Sequence, residues 1–246
     1  MKQFDFNGKA ALVTGANRGI GEAFVQALVK AGVSKIYAAV RNMDNAKSLL
    51  AQYPDIVTPI ELDVTRPDLI ANVAGQLGSL DILINNAGIA NACNSTSENV
   101  LEIARAEMET NFFGPMQLTL ALLSLLKKSD QAAIINVCSI AAISNFPSIG
   151  PYSASKAAIH SLTQGYRAEL ASENIRVVGV YPGPIDTRMA EGMEMEKPHP
   201  SRVAERAFDA LRDGVADVFP DDFSEQMYAT FRKDPLELEK IFAGML

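Results

Sequence analysis

The chain reads as an α/β protein with a parallel sheet covered by helices on both faces, and three observations lead there. Short aliphatic runs alternate with longer helical patterns along most of the 246 residues. The runs carry few polar residues, as strands buried on both faces do. A glycine-rich turn joins the first run to the first helical pattern, the kind of junction at which such sheets bind ligands.

In order, strands are expected at AALVT (10–14), KIYAAV (35–40), VTPIEL (57–62), LDILI (80–84), AAIINV (132–137) and IRVVGV (175–180). Helical patterns separate them: GIGEAFVQALVKAG, NMDNAKSLLAQY, RPDLIANVAGQLG, a long segment from about Glu98 to Lys127, and PYSASKAAIHSLTQGYRAELASE. No repeat or linker interrupts the series before about residue 186. A flap over a site is expected at about 186–200, where EGMEMEKPHP (191–200) reads equally as a solvated connector. From about 201 to 246 the chain reads as a helical C-terminal segment, with two or three helical patterns around VADVFP (215–220). The whole of 1–246 is expected to form a single unit, a common size for α/β architectures.

Composition excludes several classes. A net charge of −7 argues against nucleic acid, which is bound by clustered Lys and Arg. The two cysteines, Cys93 and Cys138, form no CxxC, so neither a disulfide framework nor a thiolate metal site is expected. The 25 residues between Asp130 and Lys156 carry no charge, a length that crosses a bilayer. Asn136, Asn145, Pro147, Gly150, Pro151 and the serines among them do not suit a lipid-facing span. The N-terminal MKQFDFNGKAALVTG lacks the shape of a secretory signal, and a soluble cytoplasmic protein without membrane partners is expected. Hydrolase chemistry is disfavoured because no GxSxG occurs. His160 and His199 are the only histidines, and neither sits in a cluster of metal-ligand spacing.

The glycine turn is Thr14-Gly-Ala-Asn-Arg-Gly-Ile-Gly21, a GxxxGxG spacing that is neither GxGxxG nor a Walker loop. Glycines at 15, 19 and 21 let backbone N–H groups approach a pyrophosphate at the positive end of the next helix. An acid roughly 20 residues further on would hold an unphosphorylated ribose, but none occurs between Glu22 and Asp44. Arg41 stands after the second strand instead, and Arg18 inside the turn. Two guanidinium groups suit a 2′-phosphate and favour NADP over NAD, unless both are only solvated surface charges.

Tyr152 and Lys156 lie one turn apart in a helix that Pro151 is suited to open. A nearby ammonium and the helix start favour a phenolate and are expected to lower the tyrosine's pKa toward useful acid–base range. Ser139 closes the fifth strand, where its hydroxyl could orient a carbonyl beside Tyr152. Pro115, four residues after Asn111, lacks an N–H and crowds the carbonyl at i−4. In a helix the Asn111 carbonyl then needs a water or side chain, a proton path beside the pair or a simple kink.

These residues jointly resemble the short-chain dehydrogenases/reductases. The resemblance rests on TGANRGIG, Asp63-Val64, Asn85-Asn86-Ala87-Gly88, Asn111, Ser139, Tyr152-x-x-x-Lys156 and Pro182-Gly183 with Thr187, spanning residues 8 to 187. It implies a single Rossmann-type doubly wound domain that passes a hydride between NADP(H) and a carbonyl or alcohol. Under it Tyr152 is the general acid, Lys156 tunes it and holds a ribose, Ser139 orients the carbonyl and Asn111 holds a relay water. The cofactor would lie against Gly15, Asn17, Arg18, Gly19, Ile20, Gly21, Arg41, Asp63, Val64, Asn86, Ala87, Gly88, Tyr152, Lys156, Pro182, Gly183, Ile185 and Thr187. The chain departs from the family with Cys138-Ser139 where many members have Ser-Ser, and with VFPDDFSEQMYATFRKDPLELEKIFAGML in place of a glycine-rich C-terminal ending. A homo-oligomer is expected, dimer or tetramer. Ile89, Cys93, Ile140, Ile143, Phe146, Met189 and Met193 are expected to line the pocket, which points to an apolar or aromatic ketone or aldehyde. The alternatives are a 3-oxoacyl-carrier-protein reductase and a non-catalytic NADP-sensing regulator.

Overall fold

The computed structural model describes residues 3–245. Seven parallel strands form one sheet: β1 (Ala10–Thr14), β2 (Lys35–Val40), β3 (Val57–Glu61), β4 (Ile82–Asn85), β5 (Ala132–Val137), β6 (Ile175–Val180) and β7 (Asp217–Val218), in the order β3-β2-β1-β4-β5-β6-β7. The order reverses between β1 and β4, so a crevice opens at their carboxyl ends. This is the doubly wound arrangement expected. The strand at Asp217–Val218 was not expected and extends the sheet within the C-terminal segment, so that segment is not helical throughout.

Strand period explains the two layers. Ala11, Val13, Ile82, Ile84, Ala133 and Ile135 face one side, where α1 (Gly19–Lys30) and α7 (Pro200–Asp213) supply Phe24, Leu28, Phe208 and Leu211. Their immediate neighbours Leu12, Leu83 and Ile134 face the other side. There α3 (Pro67–Val73), α5 (Gly114–Leu126) and α6 (Gly150–Glu169) supply Ile70, Leu118, Leu122, Leu126 and Tyr166. Both faces are covered, which is why the strands show no polar alternation. Each fully buried Leu contributes on the order of 1.5–3 kcal/mol of transfer free energy. A short helix, α2 (Lys47–Gln52), links β2 to β3.

The long segment before β5 is broken. α4 (Val100–Met108) passes into α5 through a π turn, Glu109–Phe113, where the Gly114 N–H reaches back to the Glu109 carbonyl. Pro115 has no N–H for the Asn111 carbonyl and crowds it, and a wider turn relieves that conflict. Gly114 is needed here, because a Cβ would stand 2.7 Å from the Val64 carbonyl oxygen.

After β7 come α8 (Asp222–Lys233) and α9 (Pro235–Ala243). Asp221 and Ser224 close a reciprocal cap on α8, and Asp234 accepts the Leu236 and Glu237 N–H groups to start α9. Met227, Leu238 and Phe242 then bury against Cys138, Ile140 and Tyr181. Among the described residues no helix is long and apolar enough to cross a membrane.

Candidate active site

Thr14, the last residue of β1, ties two turns together. Its hydroxyl oxygen accepts the Asn86 and Ala87 N–H groups, both at 2.9 Å, and its carbonyl accepts from Asn86 Nδ2 at 2.8 Å. The turn after β4 is therefore fixed against the glycine turn. Gly21 closes the joint, since a Cβ there would lie 2.1 Å from the Gly15 carbonyl oxygen. Gly15 and Ala16 both donate to the Ala39 carbonyl, at 3.0 and 3.3 Å, which brings the turn to the end of β2 just before Arg41. No side chain caps α1, so its first N–H groups are left for an outside acceptor. Arg18 and Arg41 are exposed, and among the described residues neither is engaged in an ion pair. Asn17 is half-buried, and Ile20 packs down onto the core.

The other expected binding residues border the same crevice unevenly. Asp63 accepts from the Thr65 N–H and hydroxyl at 2.9 and 2.8 Å, while Val64 packs on Gly114. The Pro182 carbonyl accepts from the Ile140 N–H at 3.0 Å, and Gly183 donates to Asp221 at 2.8 Å. Thr187 reaches the glycine turn: its Cγ2 stands 3.0 Å from where a Cβ on Gly19 would be. Ile185 turns its side chain into the core, so only its backbone is available to a ligand.

Behind the turns lie the four expected catalytic side chains, all buried: Asn111, Ser139, Tyr152 and Lys156. Ser139 stands two residues beyond β5, its Oγ accepting from the Ala141 N–H at 3.2 Å and donating to the Pro182 carbonyl at 3.5 Å. Lys156 Nζ donates to the Val137 carbonyl at 2.8 Å and sits 5.7 Å from the Tyr152 ring centroid. Asn111 uses its whole amide: Nδ2 donates to the Ile89 carbonyl and to Ser155 Oγ, and Oδ1 accepts the Ile89 N–H, each at 2.9 Å. Gly88 sits between them, where a Cβ would be 3.1 Å from Asn111 Oδ1 and 3.5 Å from Lys156 Nζ.

The electrostatics depart from expectation. Burial pushes the Tyr152 phenol up to about 12, and the Ser139 hydroxyl only partly offsets it. Burial also pushes Lys156 down to about 8. The Lys156 ammonium is directed to the Val137 carbonyl, and burial dominates the Tyr152 phenol. Cys138, beside Lys156, is pushed up to about 11 by burial, which keeps it a thiol at neutral pH.

Two of the residues expected to line the pocket pack on the C-terminal helices: Phe146 meets Phe242 as a tilted ring pair at 4.8 Å, and Ile143 packs against the C-terminal aromatic cluster. Met189, Met193 and Met195 are exposed on the segment after Thr187, which holds one short 3-10 turn, Arg188–Ala190. Cys93 pairs with Ile149 in an isolated parallel bridge that joins the loop after β4 to the start of α6.

A further residue reaches the site without having stood out in the sequence. Glu107 lies one helical turn before Asn111 and is fully buried. Its Oε1 accepts the Asn91 N–H at 2.8 Å and Asn91 Nδ2 at 3.0 Å, whereas Oε2 has no partner. The only sequence signal for it is the i, i+4 spacing to Asn111.

Comparison with known proteins agrees with the fold. The model of the short chain dehydrogenase family matches residues 9–198. A short chain dehydrogenase from Burkholderia cenocepacia, solved in complex with NADP, is 35% identical, superposes with a TM-score of 0.90 and is covered over 99% of its length by 97% of this chain. An uncharacterized oxidoreductase of Staphylococcus saprophyticus is 31% identical over 83% of this chain and 91% of its own. An NADP-dependent 3-hydroxy acid dehydrogenase of Schizosaccharomyces pombe is 30% identical over 75% of this chain and 74% of its own.

Proposed function

The chain belongs to the short chain dehydrogenase family, and from that premise we propose that it is an NADPH-dependent oxidoreductase that reduces an apolar or aromatic ketone or aldehyde. The observation that carries this reading is the burial of Asn111, Ser139, Tyr152 and Lys156, with the Lys156 ammonium beside the Tyr152 ring, together with the uncapped start of α1 after the glycine turn. The residues suit a dinucleotide. The bare N–H groups of α1 would receive the pyrophosphate, and the unengaged Arg18 and Arg41 a 2′-phosphate. Thr187 and the backbone of Ile185 would meet the carboxamide, and Asp63 and Val64 the adenine. The turn from Asn86 to Gly88 would carry the ribose that Lys156 also holds. When bound, the nicotinamide supplies the hydride.

The protein's own residues manage the proton. Ser139 and Tyr152 hydrogen-bond the substrate oxygen, and Tyr152 donates its phenolic proton as negative charge develops there. A phenol with a pKa near 12 is a weak donor, so Lys156 must help once it is drawn from the Val137 carbonyl toward the site. Asn111, fixed on three sides through its amide, leaves its backbone carbonyl for a relay water. The segment at about 186–200 serves as the flap, its exposed methionines offering an adaptable apolar cover.

NADPH consumption with aryl ketones, aldehydes, 3-oxoesters and 3-oxo acids tests the reading. Turnover of at least one apolar carbonyl with preference for NADPH over NADH is expected. Normal NADPH binding with no turnover across the panel would favour a regulatory role instead.

A further inference from the structure

We propose that Asp221 is a positioning residue for Ser139, a role that rests on the reading of Ser139 as the group that orients the substrate carbonyl. The buried Asp221 carboxylate fixes the Pro182–Gly183 peptide, and that peptide fixes the turn that carries the Ser139 hydroxyl.

One peptide unit is held at both ends. Its N–H, from Gly183, donates to Asp221 Oδ2 at 2.8 Å. Its carbonyl, from Pro182, accepts the Ile140 N–H at 3.0 Å and, at a long 3.5 Å, the Ser139 hydroxyl. A bond to a carboxylate is roughly twice as strong as a neutral one, and polarising the peptide at its N–H strengthens the acceptor at its other end. The start of α8 is thereby joined to the turn after β5 through a single planar group.

Strand register brings these partners together. β6 and β7 pair at Val180 and Val218, and Gly183 and Asp221 each stand three residues further on. The approach is close enough to require glycine, since a Cβ on Gly183 would stand 2.7 Å from both Asp221 Oδ1 and Phe223 Cδ1.

Helix capping alone does not account for Asp221. The cap on α8 uses Oδ1, which accepts the Ser224 N–H at 2.9 Å. Oδ2 accepts the Gly183 N–H and, at 2.9 Å, the Ser224 hydroxyl, and the whole side chain is 1% exposed. A serine caps a helix about as well as an aspartate, but it has one oxygen on a shorter arm. The second oxygen and the extra reach are what the Gly183 bond requires, and they compensate a buried carboxylate with donors on both sides.

A double-mutant cycle on NADPH-dependent turnover tests this role. Asp221→Ser keeps a capping oxygen for α8 and loses the reach to Gly183; it should lower kcat about 10–100-fold, the effect of a small misplacement in a reacting geometry. In a Ser139→Ala background the same substitution should change kcat less than about twofold, because the group it positions is gone. Ser224→Ala removes the reciprocal half of the cap and leaves the Gly183 bond, so kcat should stay within about twofold while thermal stability falls. Equal losses from Asp221→Ser in both backgrounds overturn the proposal, as does no loss in either. If no carbonyl is turned over, or Ser139→Ala keeps full turnover, the reading of the site fails on its own account. Amide exchange then still decides the contact: the Gly183 N–H should exchange about tenfold faster in Asp221→Ser than in Ser224→Ala, and equal rates overturn it.

Discussion

Two buried tyrosines, Tyr152 and Tyr181, follow β5 and β6 and sit in very different company. Tyr181 is fully enclosed: it donates to Asp217 Oδ1 at 3.0 Å, lies 2.6 Å from His160 Nδ1 and stacks on Phe219. Asp217 is in turn held by Arg167 at 2.7 Å. Because an ionised Asp217 only accepts, Tyr181 donates to it and His160 donates to Tyr181, so each proton in the chain has a fixed place. Tyr152 has a hydroxyl neighbour, a nearby ammonium and no anion bonded to its oxygen. Burial raises both phenols, Tyr181 further, with Cys138 and Asp217 adding to it. Burial does not separate the two. Spare hydrogen-bonding capacity beside a cation does, and it singles out Tyr152 as the proposed proton donor.

The sharpest way to break this contrast is to remove each hydroxyl. Tyr152→Phe should lower kcat by about 10²–10⁴-fold, the usual range for a lost general acid, while NADPH binding measured by fluorescence stays within about twofold. Equal losses for Tyr152→Phe and Tyr181→Phe would erase the distinction.

Lys156→Met should also cost turnover, by roughly 100-fold, yet raise thermal stability. The sign follows from the depressed pKa. The folded protein releases the Lys156 proton near 8, below the lysine reference of 10.5, so a stability penalty is fully present below about pH 8. The penalty is relieved as pH rises from there toward the reference value. Denaturant unfolding at pH 7 should therefore show the variant more stable by on the order of 1–3 kcal/mol, with the gap closing at higher pH.

Smaller effects belong to the cofactor end. Replacing Arg18 and Arg41 together with Ala should raise KM for NADPH about tenfold and leave KM for NADH nearly unchanged. Smallest in catalysis is Tyr181→Phe, expected to change kcat less than about twofold while costing about 1–2 kcal/mol in chemical denaturation, because it leaves Asp217 and His160 short of a partner.

Much of this was legible in the residues. The six longer strands announce themselves as apolar runs, and the glycine turn, Ser139, Tyr152, Lys156 and Asn111 stand at spacings that their chemistry requires. The structure gathers Asn111, Ser139, Tyr152 and Lys156 in one buried cluster. β7 escaped notice because two residues, Asp217 and Val218, carry no periodicity. Phe146 packs on Phe242, nearly a hundred positions away, and no local pattern encodes that contact. Glu107 escaped because a carboxylate in an amphipathic helix ordinarily faces water. The pKa of Tyr152 followed the degree of enclosure, a tertiary property, more than the one-turn spacing to Lys156.

The π turn at Glu109–Phe113 acts as a phase shifter between two helical faces. Upstream of it, Glu107 is set toward the loop after β4; downstream, Leu118, Leu122 and Leu126 are set toward the sheet. Each α-helical residue advances the face by about 100°, so deleting one residue from the turn would leave α5 seated and swing α4 around its axis by about that angle. Glu107 would then point away from Asn91. The helix ahead of the turn can thus be re-aimed by a change in length of a single residue, with no substitution in the core that anchors α5.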